Sequence, residues 1–224
     1  SSDYVCTNQK LPATPMFLKD LPYLRASLDG DADRIVFYYT ENDRMHILNG
    51  DFIAALIMTY LSKTVQDKDE LEICYAYTGY TNQACIDYVK SLHFPPKVNV
   101  KMICCATGVK HLHNKACKYD IGVYFEQNGH GNVIFNKKPS HLGTISQFFH
   151  PNIGDGIMDF YAVLYMLQEL KMTYIQWSHV FFPNHSILSK HDVQDKDVLK
   201  TTENELKLTK PAYLQNYIDK QCKE

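Results

Sequence analysis

The sequence lacks several features that mark specialised classes of protein. It has no excess of one charge, because 23 Lys and Arg residues face 25 Asp and Glu residues and the formal net charge is −2. Proteins that bind the nucleic-acid backbone usually carry a basic surplus, so we expect no nucleic-acid partner. The longest apolar run, at 160–167, is much shorter than the roughly 18 residues of a membrane span, so we expect no membrane partner either.

Paired cysteine motifs are also missing. The seven cysteines include no C-x-x-C pair, and only Cys104 and Cys105 are neighbours. This spacing favours reduced thiols over a disulfide framework or a zinc site. The first ten residues show no secretory signal, and together these absences lead us to expect a cytoplasmic protein.

What is present is the composition of a globular protein, 45% hydrophobic over 224 residues, which suffices for a sizeable core. Strand-like and helix-like runs alternate, which predicts an α/β fold with a partly parallel sheet. Residues 1–24 contain three prolines and are predicted to form a loop; Asp51 is a plausible N-cap and Pro211 a plausible first helical residue. The predicted strands are 35–39, 71–77, 98–104, 121–125, 133–135 and 186–189, with a hairpin at 42–48, and the predicted helices are 52–63, 82–91, 111–118, 157–171 and 211–222.

One acidic motif lies between the first two apolar runs, where Asp29, Asp31 and Asp33 alternate with Gly30 and Ala32. In a strand the outer two carboxylates would lie about 13 Å apart, and in a helix the middle one would point away. A tight loop, which small intervening residues permit, can bring all three together. Because converging carboxylates repel without a cation, and hard oxygen ligands suit Mg²⁺, the motif predicts a magnesium site.

Other interpretations of this motif differ in strength. An EF-hand calcium loop fails, because its sixth and twelfth positions would be Arg34 and Thr40. A phosphatase with an aspartyl nucleophile also uses two alternating aspartates, although no helix follows within the next residues. An acidic surface turn without a ligand fits the spacing as well. Arg34 could bind a phosphate on the same ion or form a salt bridge with the aspartates.

A second polar segment, 107–113, is predicted to lead from a strand into a helix. Gly108 permits close backbone approach, and the free N–H groups at a helix start favour an anion. Lys110 and His111 could bind phosphate or transfer protons. An ordinary surface turn with basic residues is the alternative.

A third polar segment, 126–131, follows the predicted strand 121–125. The Glu126 carboxylate and the Asn128 amide could accept from and donate to neighbouring sugar hydroxyls, and two glycines permit a tight turn. A polar hairpin without a ligand is the alternative.

In combination, these three loops resemble those of the α-D-phosphohexomutase family. Asp-Gly-Asp-Ala-Asp-Arg at 29–34 is similar to the magnesium loop of that family. Residues 107–113 and 120–131 are closer to the branch that acts on N-acetylglucosamine phosphates. Other members carry a Glu-Met-Ser-Gly-His type of sugar loop, so Asn128 is the residue that points to this branch.

The resemblance implies a layered α/β/α fold with a mixed sheet, in a four-domain enzyme built around one cleft. It also implies interconversion of N-acetylglucosamine 6-phosphate and 1-phosphate, through a phosphoserine and a bisphosphate intermediate, on the route to UDP-N-acetylglucosamine. The implied metal is Mg²⁺. The site residues that it implies are Asp29, Asp31 and Asp33 for the metal, Arg34, Lys110 and His111 for catalysis or phosphate, and Glu126, Asn128, His130, Thr107 and Gly108 for the substrate.

The sequence also departs from the family pattern. It has neither a Thr/Ser-Ala-Ser-His-Asn-Pro phosphoserine segment nor an Arg-Pro-Ser-Gly-Thr-Glu phosphate loop. Ala106 stands where some members have Lys, residues 77–80 differ from the usual Asn-Gly-Ser-Ser-Thr, and the segment 136–151 is shorter.

We therefore expect part of a mutase, with the rest of the mutase chain as its partner and with no turnover when isolated. The expected divisions are the end of the second, metal-binding domain at 1–65, the third, sugar-binding domain at 66–190, and a linker toward the phosphate-binding domain at 191–224. A non-catalytic protein that binds sugar phosphates is the alternative.

Overall fold

The computed structural model describes residues 2–8, 23–187 and 192–222. The strands are β1 (Arg25–Leu28), β2 (Ile35–Glu41), β3 (Arg44–Leu48), β4 (Leu71–Thr78), β5 (Val98–Cys105), β6 (Ile121–Phe125), β7 (Gly131–Phe135), β8 (Lys200–Thr201) and β9 (Leu208–Lys210). The helices are α1 (Ser2–Asn8), α2 (Gly50–Thr64), α3 (Gln83–Ser91), α4 (Val109–Ala116), α5 (Gly156–Glu169), α6 (Tyr174–Ser178) and α7 (Ala212–Gln221).

The first three strands form an antiparallel sheet in the order β1-β2-β3. The turn between β2 and β3 places Asn42 at φ 50° and Asp43 at φ 57°, a left-handed pair that matches the twist of a two-residue hairpin. The hairpin predicted at 42–48 is confirmed. Because β1 and β2 also pair directly, with Leu28 opposite Ile35, the aspartate loop is held at both of its ends.

A second sheet has four strands in the order β5-β4-β6-β7. Strand β4 runs parallel to β5 and to β6, and β7 returns antiparallel to β6. Alternate residues of β4 reach opposite layers: Ile73 and Tyr75 belong to the core cluster that contains α2, whereas Cys74 and Ala76 pack with α4. The expected mixed sheet between helical layers is confirmed.

Helix α2 connects the two sheets. Its apolar residues belong to one cluster that includes Phe37 of β2 and Ile73 of β4. Trp177 is fully buried in this cluster, its indole N–H donates to the Phe52 carbonyl at 2.9 Å, and it meets the Phe37 ring edge-on at 5.4 Å. The sheets therefore share a core, and the predicted domain division at 65/66, just after α2, stays a prediction.

The start of α2 differs from the expectation. Asn49, not Asp51, is the N-cap, and its Oδ1 accepts the Asp51 N–H at 3.1 Å. Asp51 lies in the first turn, where its carboxylate bonds to other loops. At the last helix, Pro211 occupies the N-cap position, so the prediction that it is the first helical residue is also wrong.

Two further local predictions were wrong in part or lie partly outside the described residues, and one small sheet was not predicted. Residues 2–8 form α1 rather than a loop, and 9–22 lie outside the description. Ser186 and Ile187 are not in a strand, and the rest of the strand predicted at 186–189 is not described. The small sheet of β8 and β9 was missed. Of the helices in the described ranges, none has the length and apolar character needed to cross a bilayer.

Candidate functional site

The loop between β1 and β2 gathers the three aspartates. Asp29, Asp31 and Asp33 each offer one carboxylate oxygen, and these oxygens lie within 4.8 Å of one another. The chain folds back here because Ala32 adopts φ 61° and its carbonyl accepts the Gly156 N–H at 2.8 Å. The backbone at the start of α5 thus holds the aspartate loop in place through this hydrogen bond.

The three carboxylates of this loop repel one another, and Arg34 and His130 offset that repulsion only in part. Burial raises the pKa of Asp33; His130 lowers it, the carboxylates of Asp29 and Asp31 raise it further, and Arg34 lowers it. Oδ1 of Asp33 is buried and accepts no hydrogen bond from the residues that the structure describes. A set of hard carboxylate oxygens with mutual repulsion fits a small divalent cation such as Mg²⁺.

Arg34 forms the salt bridge that was one of its two interpretations. Its Nε lies 3.4 Å from Oδ2 of Asp29 and 3.6 Å from Oδ1 of Asp33. Its backbone N–H also donates to Oδ1 of Asp29 at 3.3 Å. The Arg34 side chain is 35% exposed, and its phosphate-binding role stays a prediction.

The segment 126–131 lies directly against the aspartate loop. Arg34 and His130 form an antiparallel backbone bridge, and the Ile35 N–H donates to the Gly129 carbonyl at 3.3 Å. Nε2 of His130 lies 3.4 Å from Oδ2 of Asp33. Two motifs almost 100 residues apart in sequence therefore lie next to each other in the structure.

Backbone bonds shape the turn within this segment. The Gly129 N–H donates to the Glu126 carbonyl at 2.9 Å, and the Glu126 N–H donates to the His130 carbonyl at 2.8 Å. Oδ1 of Asn128 accepts the His130 N–H at 2.9 Å. Gly129 has φ 86°, and a Cβ there would lie 1.9 Å from the Ile35 carbonyl oxygen, so glycine is required.

Glu126 also connects this segment to the start of α4. Its Oε1 accepts the Gly108 N–H at 2.9 Å. Its second carboxylate oxygen accepts no hydrogen bond from the described part of the chain, so it can receive a ligand hydroxyl.

The basic segment 107–111 lies beside these loops, but its basic side chains do not reach the aspartates. The Thr107 N–H donates to Oε2 of Glu205 at 2.9 Å, and hydrogen bonds from Thr107 lower the pKa of Glu205, with a smaller contribution from His111. Lys110 and His111 are exposed on the first turn of α4. The N–H groups of Thr107 and Gly108 are thus engaged by carboxylates of the chain itself.

Asp51 belongs to the site region, and sequence reasoning misassigned it. Its Oδ2 accepts the Asn82 N–H and an Nε2 proton of Gln127, both at 3.0 Å. It is 1% exposed, and burial raises its pKa to about 6 although both hydrogen bonds lower it. Its one sequence signal was a carboxylate at the start of an apolar helix, which a helix cap explains equally well.

Comparison with known proteins shows which families this chain is similar to. The family model described as phosphoacetylglucosamine mutase AMG1, domain III, matches residues 49–147. The phosphoacetylglucosamine mutase of Saccharomyces cerevisiae is 37% identical over 97% of this chain and 42% of the relative. The human phosphoacetylglucosamine mutase is 34% identical over 97% of this chain and 43% of the relative.

Solved structures agree with the sequence comparison. The N-acetylglucosamine-phosphate mutase in its product complex, a member of the α-D-phosphohexomutase superfamily, has a TM-score of 0.84 at 36% identity and covers 98% of this chain and 44% of that one. The Aspergillus fumigatus N-acetylphosphoglucosamine mutase in complex with GlcNAc-6P and magnesium has a TM-score of 0.86 at 31% identity. The match covers 98% of this chain and 47% of that one.

The chain spans less than half the length of each of these relatives. Within that span, the similarity includes the aspartate loop, the basic segment and the segment 126–131. Over almost all of its length the chain is similar to one part of the phosphoacetylglucosamine mutases, which belong to the α-D-phosphohexomutase superfamily.

Proposed function

We propose that the chain is the metal-binding and sugar-binding part of a mutase that interconverts N-acetylglucosamine 6-phosphate and 1-phosphate. The observation that carries the proposal is the direct contact between the aspartate loop and the segment 126–131, through the Arg34–His130 bridge and the 3.4 Å approach of His130 to Asp33. A phosphosugar mutase needs a cation beside the sugar that receives the phosphoryl group. The relatives that bear this activity in their names support the assignment.

Asp29, Asp31 and Asp33 would hold Mg²⁺. When bound, the ion would supply positive charge that neutralises a phosphoryl group in transfer. The relative whose structure contains GlcNAc-6P and magnesium supports this choice of metal. Arg34 would add the positive charge of its partly exposed side chain to the same phosphate, and the salt bridge to Asp29 would hold the side chain in place.

Glu126, Asn128 and His130 would bind the sugar. Glu126 has one carboxylate oxygen available, and Asn128 has its Nδ2 available because its Oδ1 accepts the His130 N–H. Together they offer an acceptor and a donor to neighbouring hydroxyls. Since a mutase binds its sugar in two orientations, contacts to hydroxyls would define its specificity.

Lys110 and His111 would meet phosphate or transfer a proton from the first turn of α4. Their exposure leaves both side chains accessible to a ligand. Thr107 and Gly108 would contribute by shaping the turn, because their N–H groups already donate to Glu205 and Glu126.

The phosphoryl carrier would be a phosphoserine on the rest of the mutase chain, acting through a bisphosphate intermediate. The product would enter the route to UDP-N-acetylglucosamine in the cytoplasm. The 224 residues contain no phosphoserine segment of the family type. We therefore expect no turnover when the chain is mixed alone with Mg²⁺, N-acetylglucosamine 6-phosphate and the 1,6-bisphosphate.

A chimera tests the proposal. The aligned segment of the yeast relative is replaced by this chain, and turnover of N-acetylglucosamine 6-phosphate is measured in a coupled assay. We expect turnover from the chimera and none from its Asp31→Asn variant. A folded chimera that binds the sugar phosphate without turnover would instead favour the non-catalytic binding protein.

A further inference from the structure

The buried carboxylate of Asp51 connects α2 with two other parts of the chain. It is 1% exposed, and its Oδ2 accepts the Asn82 N–H and an Nε2 proton of Gln127, both at 3.0 Å. Asn82 in turn exchanges two hydrogen bonds with Asn184: its Nδ2 donates to the Asn184 carbonyl at 2.8 Å, and its Oδ1 accepts the Asn184 N–H at 3.0 Å. One side chain therefore binds the segment 126–131 directly and contacts Asn184 through Asn82.

Gln127 is the residue through which the segment 126–131 is attached to α2. Besides its side-chain bond to the carboxylate, its backbone carbonyl accepts the Gly50 N–H at 3.3 Å. The approach is close, because a Cβ at Gly50 would overlap the Glu126 carbonyl oxygen. The residues on either side of Gln127 are Glu126 and Asn128, which would bind the sugar. How these two are presented therefore depends on how Gln127 is held.

The second carboxylate oxygen of Asp51 has a different environment. Its Oδ1 is buried and forms no hydrogen bond with the residues that the structure describes. Burial raises the pKa of Asp51 to about 6. A proton can be held on Oδ1 and leave Oδ2 as an acceptor for Asn82 and Gln127. The hydrogen bond to Gln127 is consequently kept whether Asp51 is charged or neutral.

The titratable groups that face Asp51 are the phenol of Tyr75 on β4 and the thiol of Cys85 on α3. Burial raises the pKa of both, so both stay neutral at and below pH 7. The Cys85 thiol also donates to the Asp51 backbone carbonyl at 3.3 Å. Asp51 lines a cavity of about 730 Å³ whose described lining adds the thiol of Cys6 and includes no Lys, Arg or His. Within this described lining, no cationic side chain can pair with Asp51 in place of Gln127.

We propose that Asp51 is a positioning residue for the sugar, which acts by holding Gln127 and, through it, the segment 126–131. In the held conformation, Glu126 and Asn128 are presented to the sugar hydroxyls. The inference rests on the proposed function and adds to it a residue that acts through Gln127 rather than on the sugar. A segment that is already held strengthens binding, because less conformational entropy is lost when the sugar binds.

Gln127→Glu tests this role through its dependence on pH. At pH 7.5 the new carboxylate and that of Asp51 are both ionised and repel. Calorimetric titration of the whole chain with N-acetylglucosamine 6-phosphate should then give a dissociation constant about fivefold higher than that of the unaltered chain. At pH 5.5 the two carboxylates share a proton and the hydrogen bond is restored, so the ratio should fall below about twofold. Because both chains are measured at the same pH, titration of the sugar phosphate cancels.

Two further variants separate this role from others. Gln127→Met removes the donor without adding a charge, so its dissociation constant should stay about threefold or more above that of the unaltered chain at both pH values. Gln83→Glu is the matched control, because Nε2 of Gln83 donates to Oδ1 of Asp87 at 2.7 Å on the exposed face of α3. The same change beside this aspartate should leave the ratio near one. A cooperative thermal transition shows that each variant is folded.

The outcomes separate the inference from the proposed function. If Gln127→Glu binds as the unaltered chain does at pH 7.5, or stays weakened at pH 5.5 as Gln127→Met does, the role of Asp51 is overturned and the proposed function stands. An unchanged dissociation constant for Gln127→Met overturns that role too, even where Gln127→Glu does not fold. No binding of the sugar phosphate by the unaltered chain contradicts the proposed function, and the inference fails with it.

Discussion

At the scale of single residues, Asp31 is the member of the aspartate loop that contributes least to the stability of the fold. Asp29 accepts the Arg34 N–H and Asp33 lies against His130, whereas Asp31 is exposed and forms no hydrogen bond or ion pair with other described residues. We expect Asp31→Asn to lower Mg²⁺ affinity at least tenfold. The free energy of unfolding without metal should stay within about 0.5 kcal/mol or rise, because repulsion among the carboxylates is relieved.

Mg²⁺ titration by calorimetry and thermal denaturation of the apo protein measure the two effects separately. Asp43→Asn is the matched control, since Asp43 is exposed in the β2–β3 turn and Asn tolerates its left-handed φ of 57°. A Mg²⁺ titration of Asp31→Asn identical to that of the unaltered chain would remove Asp31 from the metal site.

Asp51 gives a residue-scale prediction about pH. Its pKa is raised from 3.8 to about 6 by burial, so the folded chain binds this proton more tightly than the unfolded chain. The contribution of Asp51 to the free energy of unfolding is therefore greatest below about pH 4 and is lost as the pH rises through about 6. The expected loss is about 3 kcal/mol.

Asp51→Asn should remove this pH dependence. Urea unfolding at several pH values between 4 and 7.5 gives the difference in unfolding free energy between the variant and the unaltered chain. Asp159, which is also buried with a raised pKa, contributes equally to both chains and cancels. A difference that stays constant across this range would show that Asp51 does not titrate there.

At the scale of elements, the contact between the segment 126–131 and β2 depends on a single glycine. A Cβ at Gly129 would lie 1.9 Å from the Ile35 carbonyl oxygen, and the residue has φ 86°. We expect Gly129→Ala to destabilise the fold by about 3 kcal/mol, because backbone must move and a left-handed conformation becomes strained.

Thermal denaturation checks this expectation, with Gly30→Ala as the comparison. Gly30 belongs to the aspartate loop, but a Cβ there meets nothing within 4 Å, so the midpoint should hardly move. Equal midpoints for the two variants would mean that the close approach at Gly129 is not maintained in solution.

The elements that the sequence predicted well are continuous apolar segments, buried along almost their whole length. The strand predicted at 121–125 has the observed bounds, and the helix predicted at 52–63 lies within α2. The cap of α2 was misassigned because Asn49 and Asp51 are both good caps, and the choice follows from the tertiary acceptor role of Asp51. The β8–β9 hairpin has no apolar alternation, so its pairing had no local signal.

At the scale of the whole molecule, the sequence indicated which loops matter but not how they meet. Asp29–Asp33 and 126–131 could be singled out from residue types, yet the bridge between Arg34 and His130 exists only because two sheets share a core through α2. The buried contacts of Asp51 have the same origin, since its carboxylate accepts from Asn82 and from Gln127, which are distant from it in sequence. Such contacts leave no pattern in a single sequence.

The C-terminal part of the chain reaches the same region through Glu205, which accepts the Thr107 N–H at 2.9 Å. Glu205 has a left-handed φ of 58°, and its lowered pKa means that the contact is present at neutral pH and is lost only as the pH falls through that lowered value. We expect Glu205→Ala to speed amide exchange at Thr107 about fivefold, which corresponds to one hydrogen bond of about 1 kcal/mol.

Hydrogen–deuterium exchange at pH 7, followed by mass spectrometry of a peptide spanning 106–109, measures this effect. Glu203→Ala is the control: Glu203 pairs with Lys115 at 3.2 Å but is 90% exposed, and a surface ion pair of this kind contributes little. Exchange that is faster in Glu205→Ala alone shows that the C-terminal part contacts the basic segment 107–111 in solution. Unchanged exchange would show that Glu205 does not bind the Thr107 N–H in solution. That N–H would then be available to an anion, as the helix start at 108–109 first suggested.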